Sequence, residues 1–328
     1  MPLSLRRGTV TAIAQRHVGL VRCEVDGEPC LAYPELTGAI ALGDDVVVNA
    51  QARELRLGSG GFDILHANLT RGLGLRPPAG AHVMKLPYTP VQHAVHHGEE
   101  DEPMVELLEG MPVVCCSLHS QLAPVCAALA GRRVAYVQLP GGALPLAFSD
   151  AVRILRRRGL VEVTIAVGPC FGGELACVST YSALALAKAR AADVAVCAIG
   201  PGIVGTGSRF GHGGMAAADG VNAAAALGGA PIIAPRLSDA DSRARHRGLS
   251  HHTEALLSLF PRGVRLPWPD GCPIEHPPDA RAEIVDVSGW YDACAGLPLS
   301  HMGRGPDGDP WFFASAFAAG TLAARLSR

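Results

Sequence analysis

The hydrophobic pattern changes character about one third of the way along the chain. Before Met111, short runs of alternating apolar and polar residues predict β-strands at residues 7–14, 19–25, 28–32 and 45–50. Turn signals such as Asp26-Gly27 separate these runs, which is typical of hairpins. A meander of this length closes most economically as a small barrel, because closure removes exposed strand edges.

After Met111, short apolar runs alternate with Ala- and Leu-rich stretches, which indicates repeated βα units. Strands are predicted at residues 113–117, 134–138, 161–167, 194–199, 231–234 and 284–287, and helices at 121–130, 149–158, 174–189, 215–227, 253–260 and 310–326. Continuously apolar strands imply a parallel sheet covered on both faces, and right-handed crossovers then give a Rossmann-like, three-layer α/β/α sandwich. The predicted organisation is therefore a small β-barrel-like domain over residues 1–68, a connector over 69–110 and an α/β domain over 111–328.

Composition narrows the partners that we expect. The formal charge of −2 over 328 residues lacks the basic excess that nucleic-acid binding requires. No run approaches the roughly 18–20 apolar residues of a membrane span, and the N-terminus lacks the apolar core of a signal peptide, so we expect a cytoplasmic protein without membrane contact. A mean hydropathy of +0.23 with only 18% charged residues favours a homo-oligomer that covers apolar surface.

The segments that follow the predicted parallel strands carry the candidate chemistry. In an open parallel sheet, ligands bind beyond the carboxyl ends of the strands. Here those segments are polar or rich in glycine, and they are expected to converge at one edge of the sheet. They begin at Ser117, Leu139, Gly168, Gly200 and Ser238.

The longest glycine-rich segment, residues 200–214, contains a G-x-G-x-x-G pattern at Gly200, Gly202 and Gly205. Pro201 interrupts it and the predicted helix starts only near Met215, which argues against a dinucleotide fold. Backbone N–H groups facing an anion at the helix start are the favoured interpretation. The alternative is a tight structural loop whose glycines supply positive φ. The residues proposed to bind phosphate or another anion are Gly202, Gly205, Thr206, Gly207, Ser208 and Arg209.

A second segment groups His246, His251 and His252 downstream of Asp239 and Asp241. Such sets suit a divalent metal or general acid/base catalysis, and we take His246 and His251 as catalytic candidates. The spacing matches no established metal motif, so the sequence leaves any metal and any cofactor unknown. Three arginines among these residues indicate instead an anionic ligand. The structural alternative is that Ser250 caps a helix starting at His251.

Two further residues are candidate catalytic groups. The segment around Cys170, Gly168-Pro-Cys-Phe-Gly-Gly-Glu174, resembles a strand-to-helix elbow that would expose a nucleophile. His119 follows the first strand of the α/β domain, where it could act as a base toward that elbow if the strands are adjacent. A packed small residue is the structural alternative for Cys170.

Several segments together resemble one family. They are residues 82–92 with Lys85 and Tyr88, the glycine-rich residues 200–214, Arg245-His-Arg-Gly-Leu-Ser-His-His252, Met302-Gly-Arg304, and Asp309-Pro-Trp-Phe-Phe313. As a set they resemble the uncharacterised bacterial family called domain of unknown function 3866, over essentially the whole chain. The resemblance implies a fold and a bacterial cytoplasmic setting, and it assigns no catalytic residue because the family has no established activity.

The sequence thus favours a small-molecule enzyme, or an enzyme-like binding domain, that holds an anionic and phosphorylated ligand between residues 200–214 and residues 246–252. The alternative class is a non-catalytic scaffold in which the barrel binds a partner and the α/β domain oligomerises. The reaction, the substrate, the metal and the oligomer number are not encoded in any motif of the chain.

Overall fold

The alternating N-terminal runs form a closed five-stranded barrel in the computed structural model, which describes residues 3–56, 60–101, 103–260, 263–278 and 282–327. These residues divide into two compact units, 1–96 and 97–328. The barrel strands are β1 Leu5–His17, β2 Leu20–Val25, β3 Glu28–Ala32, β4 Asp45–Asn49 and β5 Asp63–Asn68. The first unit also contains α1 Pro34–Thr37, α2 Gln51–Glu54, β6 Val83–Lys85 and β7 His93–Val95.

The barrel has the strand order β1-β2-β3-β5-β4, and β4 pairs with β1 to close it. The fifth strand was not predicted from the sequence, although closure depends on it: β5 pairs parallel with β3 and antiparallel with β4. Asp63, fully buried at the start of β5, is held by Arg6 at 3.0 Å and by Arg53 at 2.8 Å. These ion pairs compensate the buried carboxylate.

The second unit is built on a six-stranded parallel sheet with the order β11-β10-β9-β12-β8-β13. Its strands are β8 Pro112–Cys116, β9 Val134–Leu139, β10 Val163–Val167, β11 Leu175–Cys177, β12 Val194–Ile199 and β13 Ala230–Ala234. Two-stranded sheets are formed by β14 Leu237–Ser238 with β15 Gly248–Leu249, and by β16 Leu266–Pro269 with β17 Ala282–Val285.

Helices cover both faces of this sheet. They are α3 Leu122–Ala128, α4 Asp150–Arg157, α5 Thr180–Ala189, α6 Ala217–Ala226, α7 His251–Leu259, α8 Trp290–Ala293 and α9 Pro310–Leu326. Alternate residues of each strand face opposite layers, so Val114 and Cys116 pack with α3, α4 and α9, whereas Val113 and Cys115 pack with α5, α6 and α7. The predicted three-layer α/β/α sandwich after an N-terminal barrel is confirmed.

Two predicted elements differ from the structure. The predicted helix 174–189 begins only at Thr180, because Leu175–Cys177 instead adds the edge strand β11 beside β10. The predicted strand 284–287 lies in the two-stranded sheet with β16 rather than in the main sheet. Both errors have one cause: a short apolar run does not reveal which neighbour it will pair with.

The chain order reverses the side of the helical connections near the middle of the sheet. Strands β8 and β9 are followed by α3 and α4 on one face, whereas β12, which lies between them, is followed by α6 on the other face. The segments after neighbouring strands therefore diverge at the carboxyl edge, which is where open α/β sheets bind ligands. Within the described residues, no helix is long and apolar enough to cross a membrane.

Candidate functional site

Four histidines meet at the carboxyl edge of the sheet, where the segment after β12 faces the start of α7. The ring of His212 stacks on that of His252, with the centroids 3.7 Å apart. The centroid of His251 lies 4.4 Å from that of His252 and 5.6 Å from that of His212. His246 joins them, 4.8 Å from His251. We call His212, His246, His251 and His252 the histidine cluster.

Two ring nitrogens of the histidine cluster are buried without a hydrogen-bond partner among the described residues. His212 donates from Nε2 to the Arg209 carbonyl oxygen at 3.2 Å, so its Nδ1 is left as a lone pair with no partner. His251 Nε2 is also buried without a partner. His246, by contrast, bonds through Nδ1 to Ser250 Oγ at 2.7 Å. Buried polar atoms without partners are uncommon in native proteins and mark places where water, an ion or a ligand binds.

Arg236 lies directly against the histidine cluster and is only 2% exposed. Its Nη1 donates to His252 Nδ1 at 3.2 Å, and its Nη2 donates to His301 Nε2 at 3.3 Å and to Asp241 at 3.4 Å. Its Nε has no partner among the described residues. Because a guanidinium can only donate, the acceptor nitrogens of His252 and His301 carry no hydrogen.

Asp241 and Asp309 accept hydrogen bonds from two further arginines, Arg243 and Arg304. Asp241 accepts from Arg243 at 2.8 and 3.0 Å and from Arg304 at 3.3 Å. Arg304 also donates to Asp309 at 2.9 Å. Together with Arg236, three guanidinium groups face two carboxylates in this network, which leaves one surplus positive charge. We call these five residues the arginine–aspartate network.

Burial and this positive charge keep the imidazoles neutral. Burial is the largest cause that lowers the pKa of His246 to about 3, of His252 to about 2 and of His301 to about 3. For His246 and His301 the next cause is the charge of Arg236. Burial likewise lowers the pKa of Arg236 to about 10, and the neighbouring charge of Arg243 adds to the effect. The site is therefore short of negative charge.

Local sequence fixes the start of α7 beside this network. Ser250 Oγ accepts from the His252 N–H at 3.3 Å, so the predicted cap of this helix by Ser250 is confirmed. The Ser250 N–H donates to the Arg236 carbonyl oxygen, and the Arg236 N–H donates to Thr253 Oγ1, both at 2.9 Å. These bonds tie α7 to the segment after β13.

The glycine-rich residues 200–214 turn back on themselves. Thr206 Oγ1 lies 2.9 Å from Ser208 Oγ, and the Thr206 N–H donates to the Gly211 carbonyl oxygen at 2.7 Å. The proposed anion-binding hydroxyls are thus bonded within the loop. Gly202 is half-buried and the other residues proposed to bind the anion are exposed: Gly205, Thr206, Gly207, Ser208 and Arg209. The pattern opens no helix directly, since a 3₁₀ turn at Gly213–Ala216 precedes α6.

His119, a predicted catalytic residue, is bonded through both ring nitrogens. Its Nδ1 lies 3.2 Å from the Ile199 carbonyl oxygen and 3.4 Å from Tyr136 Oη, and its Nε2 lies 2.7 Å from Ser149 Oγ. The carbonyl contact assigns the hydrogen to Nδ1, so Ser149 donates to Nε2. Ser149 also caps α4, accepting from the Val152 N–H at 3.1 Å. Burial lowers the pKa of His119 to about 4, so the imidazole is neutral near pH 7.

The elbow expected around Cys170 is not formed. The Cys170 N–H donates to the Val167 carbonyl oxygen at 3.0 Å in a turn after β10, and the chain then enters strand β11 rather than a helix. Cys170 is half-buried. Strands β9 and β12 separate β10, which precedes Cys170, from β8, which precedes His119, so the adjacency on which the predicted acid–base role depends is not present.

Three residues of the site were missed by the sequence interpretation. Arg236 follows β13 by two positions, so the rule that pointed to the other strand ends could have found it. His212 lies inside the predicted anion loop but was given no role. His301 carries no local signal: it is brought in by stacking on Phe312 of α9, with the ring centroids 3.8 Å apart. Ser120 Oγ lies 3.3 Å from His301 Nδ1 and connects it to the His119 segment.

A cleft at the opposite, amino edge of the sheet has no comparable chemistry. It is lined by residues that include Arg133 and Glu174. Arg133 pairs with Asp193 at 3.3 Å, and Glu174 pairs with Arg156. Its prominent charges are thus already compensated, unlike those of the arginine–aspartate network.

The fold and the site together define a class of protein: a β-barrel followed by a parallel α/β/α sandwich that carries histidines and arginines at its carboxyl edge. The chain belongs to the family described as "Protein of unknown function (DUF3866)", whose family model matches residues 29–320. The resemblance drawn from the sequence motifs is thereby confirmed. No curated protein matches the chain.

Proposed function

We propose that residues 97–328 form a small-molecule enzyme, or an enzyme-like binding domain, that takes an anionic, phosphorylated ligand at the carboxyl edge of the sheet. The observation that carries the proposal is the surplus positive charge of the arginine–aspartate network. Its central member, Arg236, is 2% exposed and has an Nε without a partner in the described part of the chain. A buried cation without full compensation is costly, and a bound anion would compensate it.

Two exposed arginines extend this charge to solvent. Arg245 places its Nε 3.4 Å from His246 Nε2, and its charge contributes to lowering the pKa of His251. Arg209 is a member of the predicted anion loop, and its guanidinium carbon lies 5.1 Å from the centroid of the Phe210 ring. Neither guanidinium pairs with a carboxylate among the described residues. Such groups are free to bind phosphate oxygens with paired N–H donors.

The alternative function is a non-catalytic, oligomeric interaction protein. Exposed apolar side chains on residues 200–214 favour it: Ile203, Val204 and Phe210 are 37%, 55% and 51% exposed. An interaction surface alone, however, does not require buried polar atoms without partners. Within the described residues, six such atoms lie near the carboxyl edge, in Ser117, Gln138, His212, Arg236, His251 and Asp309. Arg236 Nε and Ser117 Oγ can donate to a bound anion. The Gln138 and Asp309 oxygens and the His212 lone pair need a donor or a cation instead, so the anion proposal rests on the donors alone.

The test is thermal unfolding of the chelator-treated full chain with phosphate, pyrophosphate and nucleoside phosphates, each added alone. The variants are Arg245→Ala and, as a matched control, Arg157→Ala, which removes an exposed arginine at the C-terminal end of α4. An anion at about 100 times its Kd stabilises the native state by about 2.7 kcal/mol. We expect at least one of these anions to raise Tm in the wild type and in Arg157→Ala, and to raise it much less in Arg245→Ala.

Two results would count against the proposal. If no anion raises Tm, the charge surplus does not define a ligand site and the interaction alternative becomes the better interpretation. If Arg245→Ala responds as the wild type does, binding occurs elsewhere on the chain. The absence of added metal keeps both results independent of any metal site.

A further inference from the structure

Three histidines at the carboxyl edge have the composition of a transition-metal site. His212, His251 and His252 each offer a ring nitrogen, and these three atoms all lie within 4.8 Å of one another. A tetrahedral ion with metal–nitrogen distances of about 2.0–2.1 Å brings its ligand nitrogens to about 3.4 Å from one another. Small side-chain rotations would therefore close the set around an ion.

The hydrogen bonds of His212 favour this role independently of the spacing. Its side chain is 6% exposed, and Nε2–H donates to the Arg209 carbonyl oxygen. That bond fixes the tautomer that leaves Nδ1 as a lone pair, and this nitrogen has no partner. Metal-bound histidines characteristically donate their other ring N–H to a carbonyl or carboxylate in the same way. His251 Nε2 is the second buried nitrogen of the set without a partner.

The ring of His252 is already hydrogen-bonded, which restricts how a metal ion can bind to it. In this structure its Nδ1 lone pair accepts from Arg236 at 3.2 Å, and a neutral imidazole has only one such lone pair. An ion that binds His252 must therefore displace Arg236 from the ring. Arg236 retains contacts to Asp241 and His301 through Nη2, so its guanidinium stays anchored when the His252 contact is lost.

We propose that His212, His251 and His252 bind one divalent transition-metal ion of the zinc class, with a fourth position open to water or ligand. Neutral imidazoles are ligands for such ions, whereas Mg²⁺ and Ca²⁺ prefer oxygen. Three protein ligands with an open position are the arrangement of catalytic rather than structural zinc sites. The proposal goes beyond anion binding, although the two sites adjoin through Arg236 and His252. Each is tested with its own probe, anions without metal or metal without anions, so either proposal can fail without the other.

The test is titration of the chelator-treated full chain with Zn²⁺ or Co²⁺ alone, in a buffer free of phosphate. Calorimetry gives the stoichiometry, and the visible absorption of bound Co²⁺ reports nitrogen coordination. We expect one ion per chain. His212→Ala and His251→Gln should each weaken binding by more than about 100-fold, beyond the 10–100-fold typical for loss of an outer-shell partner. His276→Ala, which removes an exposed histidine of the same unit, should bind as the wild type does.

The result that overturns the proposal is a wild type that binds neither ion in a defined stoichiometry, or one whose binding survives both variants. The first outcome would leave the rings as a core bridged by water. His251 is half-buried whereas His212 is buried, so His251→Gln keeps the test decisive if His212→Ala does not fold. Tryptophan fluorescence, which reports the second unit, verifies folding of each variant before titration.

Discussion

Ser149 performs two structural tasks with one hydroxyl. It caps α4 by accepting from the Val152 N–H, and it donates to His119 Nε2 at 2.7 Å. Ser149→Ala removes the cap, which costs about 0.5–2 kcal/mol, and leaves a buried imidazole nitrogen without a donor, which costs about 1–3 kcal/mol more. We therefore expect a loss of about 1.5–5 kcal/mol in the free energy of unfolding, measured by urea titration of tryptophan fluorescence.

Ser179→Ala is the matched control for this prediction. Ser179 caps α5 by accepting from the Ser182 N–H at 3.1 Å. Its hydroxyl also lies 3.0 Å from Ser182 Oγ, but that group keeps its bond to the Ser179 carbonyl oxygen, so the loss should cost about 1 kcal/mol. Equal losses in the two variants would show that His119 does not depend on the Ser149 hydroxyl, and would reopen the question of what orients its ring.

The residues of the site were predictable only where they lie close to one another along the sequence. His246, His251 and His252 lie within seven positions of one another, and Ser250 between them signals the start of α7. His212 is 34 positions away from the nearest of them and reaches them only through the packing of the strands. Single-sequence motifs do not specify such contacts, because they depend on strand order.

At the scale of elements, the loops after β9 and β12 pack backbone against backbone. A Cβ at Gly213 would lie 1.8 Å from the Gly141 carbonyl oxygen, and a Cβ at Gly142 would lie 2.2 Å from that of Gly200. The Ala143 N–H donates across the same contact to Gly202 at 2.7 Å. Glycine is required here by close approach, not only by turn geometry.

Gly213→Ala should therefore force the two loops apart. Overpacking of this kind typically costs about 1–3 kcal/mol, and the contacted atoms are backbone, which cannot rotate away. We expect a loss of about 2–3 kcal/mol in urea unfolding monitored by tryptophan fluorescence. Gly207→Ala is the control, since nothing lies within 4 Å of a Cβ at that position, and it should change stability by less than about 0.5 kcal/mol. Similar effects of both substitutions would contradict the tight packing of these loops.

The same elements show what patterning can and cannot predict. The run 194–199 was placed correctly because six consecutive apolar residues suit a strand buried on both faces. Strand β11 was missed because Leu175-Ala-Cys177 is short and continues into the helix of Thr180–Ala189. Its strand character comes from pairing with β10 in register, Ile165 opposite Leu175, which is information about the neighbour rather than about the segment.

For the whole molecule, fluorescence separates the stability of one unit from that of the other. The chain contains three tryptophans, Trp268, Trp290 and Trp311, and all three lie in the second unit. Each unit also has its own hydrophobic core. Tryptophan fluorescence can therefore follow the α/β unit alone while the full chain is intact, and the effect of pH on that unit can be measured directly.

Two histidines outside the proposed metal site make this unit sensitive to acid. Burial lowers the pKa of His119 to about 4 and that of His301 to about 3, against about 6.5 in an unfolded chain. His301 faces the charges of Arg236, Arg304 and Asp241. Below about pH 6.5 the unfolded chain takes up a proton at each ring that the native state does not bind. Stability therefore falls with falling pH, by about 1.4 kcal/mol per pH unit for each histidine.

His119→Gln and His301→Gln should each reduce the pH slope of the unfolding free energy by about one proton between about pH 6 and pH 4.5. The measurement is urea unfolding of the chelator-treated chain across that range, followed by tryptophan fluorescence. The control is Leu184→Ala, which shortens a fully buried side chain of α5 and lowers stability without removing a titrating group, so it should shift the curve and keep its slope. A slope that is unchanged in both histidine variants would mean that these rings titrate alike in the folded and unfolded chain, and that their burial does not keep them neutral.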